Sequence, residues 1–184
     1  MSIRRLKYLS RFRPGLTEAD ILQILETSQR NNGAVGICGM LMHSQKAFFQ
    51  VLEGPPEALA QVWQRIMEDE RHTHVQLLED VESEDGKRFE GFSMQELSTS
   101  VPGVANLEAI ASLLDAAAYG PPAEDGETAA APQDVIPVSP VVTGEVAVAL
   151  DQLLTEVALL VHRAFGVSPY SPAKMRALKD RQGD

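Results

Sequence analysis

The stretch from residue 36 to residue 53, GICGMLMHSQKAFFQVLE, reads as two strands joined by a polar turn. A strand is expected at about 36–43, Ser44-Gln45-Lys46 breaks it, and a second follows at about 47–53, which is a hairpin pattern. Phe48, Gln50 and Leu52 share one face of the later strand, so a glutamine lies among large apolar neighbours.

Upstream, IRRLKYLS at 3–10 alternates, with Leu6, Tyr8 and Ser10 on one face. Thr17 offers a helix N-cap with Asp20 three residues on, and Leu16 and Ile21 are spaced to pack as a hydrophobic staple. Ile21, Leu22, Ile24, Leu25 and Ser28 continue at helical spacing, and Asn31-Asn32-Gly33 is the expected stop. Downstream, Pro55 suits the first position of a helix, where a missing N–H costs nothing. Leu59, Val62, Trp63, Ile66 and Met67 form its apolar face, and that spacing makes Trp63 a core anchor before a site residue. Strands are expected at about 75–81 and 88–95, around the polar stretch 82–87. The order is β-α-β-β-α-β-β. Each strand–helix–strand crossover sets its two strands parallel and is right-handed, so two such units build one mixed sheet with both helices on one face. The fold class is α+β, a ferredoxin-like sandwich with helices added at the C-terminal end.

Beyond residue 100 the composition changes. Residues 104–119 read as a short helix striped by Leu107, Ile110, Leu113 and Leu114. Residues 120–142 are rich in Pro, Ala and acidic side chains, the composition of a partly extended linker. Thr143 caps a last helix to about Phe165, with Val146, Leu150, Leu153, Val157 and Leu160 near heptad spacing. This divides the chain into a sensor-sized unit at 1–98, a cap helix at 99–120, a linker at 121–142, an association helix at 143–166 and a polar tail at 167–184. Self-association is the favoured use of that last helix, with packing on its own domain as the alternative.

The net charge of −10 argues against general binding of nucleic acid, which needs clustered Lys and Arg. Arg4, Arg5 and Lys7 form the basic cluster, and a solvated strand face is the expected reading. No apolar run approaches the about 20 residues that span a bilayer, and residues 1–10 lack the apolar core of a signal peptide. The single cysteine, Cys38, falls in a strand and has no internal disulfide partner. A cytoplasmic location is expected.

Gln50 and Tyr8 each place a polar group on an inward face, where an unpartnered one costs about 1–3 kcal/mol. Taken singly, each reads more simply as a satisfied core residue, and Asn32 as a helix C-cap. Together with their surroundings they form a pattern. Tyr8-Leu-Ser10, Asn32-Gly-Ala-Val-Gly-Ile-Cys-Gly39, Phe48-Phe-Gln-Val-Leu-Glu-Gly54, Asp69-Glu-Arg-His72 and Arg88-Phe-Glu-Gly-Phe-Ser-Met94 resemble, in order and spacing, the BLUF family of flavin photosensors over about residues 3–96.

The resemblance implies one non-covalently bound FAD, its ring between the two helices. It implies Tyr8, Gln50 and Met94 as the photoactive set, and Tyr8, Ser28, Asn31, Asn32, Gln50, Arg71 and His72 as cofactor-binding. In these roles a phenol donates an electron and a proton, an amide exchanges donor for acceptor by turning, and Arg partners a phosphate. Three positions depart from the family pattern: Cys38 stands for a usual threonine, Phe92 for a frequent tryptophan, and His43 for a frequent aromatic. Phe92 cannot donate a hydrogen bond, so with Met94 the arrangement with tryptophan turned inward is closed. His43 reads as an exposed strand-end histidine.

The expected function is therefore a blue-light receptor that is not an enzyme and that signals through a homo-oligomer and an unidentified downstream protein. The alternatives are a flavin-free interaction module and a small enzyme. No nucleophile elbow, P-loop or metal spacing favours the last, and the fold itself is neutral.

Overall fold

The computed structural model describes residues 2–83, 86, 87, 89, 94–97, 108, 111, 112, 136 and 137. Their elements are β1 (Ile3–Phe12), α1 (Glu18–Ala34), β2 (Cys38–His43), β3 (Ala47–Gly54), α2 (Pro56–Glu68), β4 (His72–Ser83), β5 (Gln95–Leu97) and β6 (Ile136–Pro137). The sheet runs β5-β2-β3-β1-β4-β6. Its four central strands are antiparallel neighbours, while β5 lies parallel to β2 and β6 parallel to β4. The expected ferredoxin-like mixed sheet is present. Each crossover does link parallel strands, but a third strand lies between them: β3 between β1 and β2, and β1 between β3 and β4.

Leu6 and Tyr8 of β1, Leu41 of β2, Phe48 and Leu52 of β3 and Val75 of β4 form one core with Ile21, Ile24 and Leu25 of α1 and Leu59 of α2. Both helices therefore cover the same face. α1 starts on the expected capping box: the Asp20 amide donates to Thr17 Oγ1 at 3.3 Å, and the Thr17 amide to Asp20 Oδ2 at 2.8 Å. Its end differs from the expected one. The helix continues through Asn31 and Asn32 to Ala34, and the chain turns at Gly36, whose φ of +71° favours glycine. Asn32 stays inside the last turn, where its carbonyl accepts the amides of Val35 and Ile37. α2 starts at Pro56, with Pro55 as its N-cap, because the second proline occupies the site where no N–H is needed.

The other sheet face overturns the solvated reading of the basic cluster. Arg5 and Lys7 are 3% and 5% exposed, among Leu9, Met40, Met42, Phe49 and Val51. The charges are tolerated there because Arg5 pairs with Glu53 and Lys7 with Glu79, while Arg4 forms a two-pronged bridge to Asp80. Glu108, Ala111 and Ser112, within the expected cap helix, are helical; Ser112 Oγ accepts from Arg11, and Ala111 is fully buried.

A strand is present at Gln95–Leu97, which meets the expected 88–95 at Gln95; residues 88 and 90–93 of that span fall outside the described residues. Phe92, nearly all of the linker and the association helix at 143–166 fall outside the described residues. Within the linker, Ile136–Pro137 pairs with β4.

Candidate functional site

A cavity of about 160 Å³ lies between α1 and α2 above the sheet. Its wall includes the buried Asn32, Gln50, Leu52 and His72, and its rim the exposed Asn31 and Arg65. Six of the residues expected to hold a cofactor, Ser28, Asn31, Asn32, Gln50, Arg71 and His72, line this one space. α1 supplies three of them from its last turns, β3 supplies Gln50, and the loop after α2 brings Arg71 and the first residue of β4.

Tyr8 stands behind Gln50. It is fully buried and donates its hydroxyl to Gln50 Oε1. The amide's other end donates from Nε2 to Met94 Sδ at 3.4 Å, and the Met94 carbonyl accepts from Gln29 Nε2 at 3.1 Å. Burial, aided by the carboxylate of Asp69, raises the phenol far above its ordinary pKa, so Tyr8 is a neutral donor. Trp63 meets Tyr8 edge-on, with ring centroids 5.2 Å apart. It belongs to the core, as expected, but touches the phenol at the centre of the site.

His72 is held by Ser10 Oγ, 2.9 Å from Nδ1, and packs against Phe48. Burial pushes its imidazole down to about 4, although Asp69 pulls the other way. Arg71 bonds Asp69 through Nε at 2.8 Å and Nη2 at 2.6 Å. Burial raises the Asp69 carboxyl, but these bonds outweigh it and hold the group below its ordinary range. Cys38 is on the opposite sheet face, with its thiol near the Glu53 carbonyl. His43 is half-buried, its Nδ1 3.3 Å from the Ser44 carbonyl.

Two features fit the cavity to a polar aromatic cofactor. The Asn32 side chain is 4% exposed and bonds no described residue, so a buried amide opens onto the cavity. Gln50 spends one N–H on Met94, and among the described residues its second has no partner. The volume is small beside the about 300–1,000 Å³ of typical ligand pockets.

Sequence reasoning passed over Gln29, Glu53, Arg65 and the Asp69 side chain as functional groups. Asp69 carried a readable signal, an acid two residues before an arginine in a loop. Gln29 bonds a residue 65 positions away, the Glu53 carboxylate bonds residues 36 and 48 positions away, and no local pattern indicates these partners.

Residues 3–95 match the family model described as BLUF, sensors of blue-light using FAD. The chain is 35% identical over 74 residues to the photoactivated adenylate cyclase subunit beta of Euglena gracilis, covering 40% of this chain and 9% of that protein. It thus spans about a tenth of that relative's length. Among solved structures, the dark state of BlrB, a BLUF protein, is similar at a TM-score of 0.54 and 28% identity, over 64% of this chain and 90% of that one. The photo-activated state of BlsA is similar at a TM-score of 0.52 and 28% identity, over 60% and 79% of the two chains. Among the described residues, no helix is long and apolar enough to cross a membrane.

Proposed function

Because the chain belongs to the BLUF family of blue-light sensors, we propose that it binds one FAD non-covalently between α1 and α2 and converts blue light into altered protein contacts. The observation that carries this reading is the chain Tyr8–Gln50–Met94, whose central amide lines the cavity. When bound, the flavin supplies the absorption of blue light and, once excited, accepts charge from a nearby phenol.

The protein's own groups then define the response. Tyr8, neutral and buried, has among the described residues one partner for its proton, Gln50 Oε1. The Gln50 amide spans from Tyr8 to Met94, and turning it or shifting its proton exchanges a donor for an acceptor without moving net charge. Asn32 offers its amide to the ring's polar edge, with Ser28 and His72 on the same wall. Asn31 and Arg71 stand nearer the rim, where the ribityl-phosphate portion would lie. Arg71 already bonds Asp69, so a phosphate would share or displace that carboxylate.

The altered Gln50 amide acts on Met94, and from there on β5 and the following segment. The output is contact with a further copy of the chain, through residues 143–166, and with a downstream protein, without catalysis in this chain. We assign the protein to the cytoplasm, in keeping with a single buried cysteine that forms no disulfide. The chromophore released by heating the purified protein tests the cofactor assignment: FAD by mass supports it, and a protein that refuses added flavin overturns it.

A further inference from the structure

Met94 is gripped at both ends. Its thioether accepts from Gln50, and its carbonyl accepts from Gln29 Nε2. Gln29 is one residue after Ser28, on the turn of α1 that also carries Asn32, whereas Gln50 reaches Met94 from the sheet. Upstream the segment is held separately: the Phe89 amide donates to Glu53 Oε2 at 3.0 Å, and Lys87 Nζ to the Gly36 carbonyl at 2.6 Å. Downstream, Gln95 pairs with Met40 of β2. Among the described residues, Gln29 is the side chain that bonds the peptide bearing Met94, and it does so from the helix that walls the cavity.

We propose that Gln29 is a positioning residue of the photoresponse, holding Met94 in register with the Gln50 amide so that the two amide states differ in their contact with the thioether. The proposal rests on the blue-light reading of the Gln50 site. It follows from geometry: a thioether is flexible and accepts weakly, so its place depends on the backbone that carries it. Among the described residues, Gln29 is neither in the cavity lining nor in the core cluster, and its side chain bonds the Met94 carbonyl.

The test is the rate of dark recovery of the flavin spectrum after a blue flash, in full-length protein. One hydrogen bond gained or lost between the two states changes that rate by about two- to tenfold. Gln29→Ala should alter recovery by such a factor while flavin content and the size of the shift stay at wild-type values. Met94→Ala should alter it in the same direction, and the double variant should match Met94→Ala rather than the product of the two factors. Gln29→Lys, which retains an N–H donor and helix propensity, should restore the wild-type rate, and Gln29→Glu should not. Recovery unchanged in Gln29→Ala, or independent effects in the double variant, overturns the proposal. A wild-type protein with no light-driven shift overturns the sensor reading first, and this proposal with it.

Discussion

Tyr8 and Gln50 occupy directly opposed positions on β1 and β3, and the Tyr8 hydroxyl donates across the ladder to the Gln50 side-chain oxygen. Backbone register therefore sets the pair before any cofactor arrives. It also places the two polar groups on the helix-covered face, where Gln50 shares the cavity lining with Asn32 and bonds Met94. A one-residue slip in either strand would carry one partner to the other face.

Removing the phenol hydroxyl should separate binding from response. Tyr8→Phe leaves Gln50 Oε1 buried without its donor and should lower stability by about 1–3 kcal/mol. Flavin should still bind, because Tyr8 is not in the cavity wall. Urea unfolding measures the first effect, and flavin content with the light-minus-dark spectrum measures the second, where the normal shift should be lost.

Asn32→Ala should act in the opposite sense. The Asn32 amide bonds no described residue, and alanine is the better helix former. Stability without flavin should hold or rise, while the flavin dissociation constant rises about two- to tenfold for one lost hydrogen bond. Fluorescence titration of the apoprotein checks the affinity.

Much of this was legible in the sequence. The hairpin at 36–53, the capping box at Thr17 and the apolar face of α2 are local patterns, and the folded chain follows them. The Gln50 position was readable because a polar residue on an apolar face needs a partner. Three features were not readable, each decided by a remote contact. Arg5 and Lys7 look solvated until Glu53 and Glu79 are brought beside them. Asn31-Asn32-Gly33 looks like a helix stop, yet tertiary packing carries the helix to Ala34 and buries Asn32 at the cavity. The strand at Gln95–Leu97 is fixed by its parallel partner β2.

His72 sets an acid limit on stability. Its folded pKa of about 4 lies below the unfolded value of about 6.5, so between these the unfolded chain binds more protons. The contribution is fully present above about 6.5 and is lost as pH falls towards 4, on the order of 3 kcal/mol. Asp69, with its folded value held below 3.8, acts only below that window. Unfolding at pH 7 and pH 4.5 should show the loss, and His72→Gln should flatten it.

Deleting residues 121–184 should leave flavin binding and the light-driven spectral shift in place, because the described cavity residues all lie between 24 and 72. It should also reduce the number of chains per particle, if residues 143–166 associate as their near-heptad spacing predicts. Light scattering on both forms decides it: equal numbers of chains per particle contradict self-association, and loss of flavin would assign the deleted region to the sensor.

The most direct measurement is the absorption spectrum of the purified full-length protein before, during and after blue light, beside that of Gln50→Leu. The wild-type flavin band should move slightly to the red and return in darkness, while Gln50→Leu binds flavin and does not show that shift. A colourless wild-type protein, a spectrum unmoved by light, or a Gln50→Leu protein that shifts as the wild type does would contradict the assignment of Tyr8 and Gln50 as the light-responsive pair.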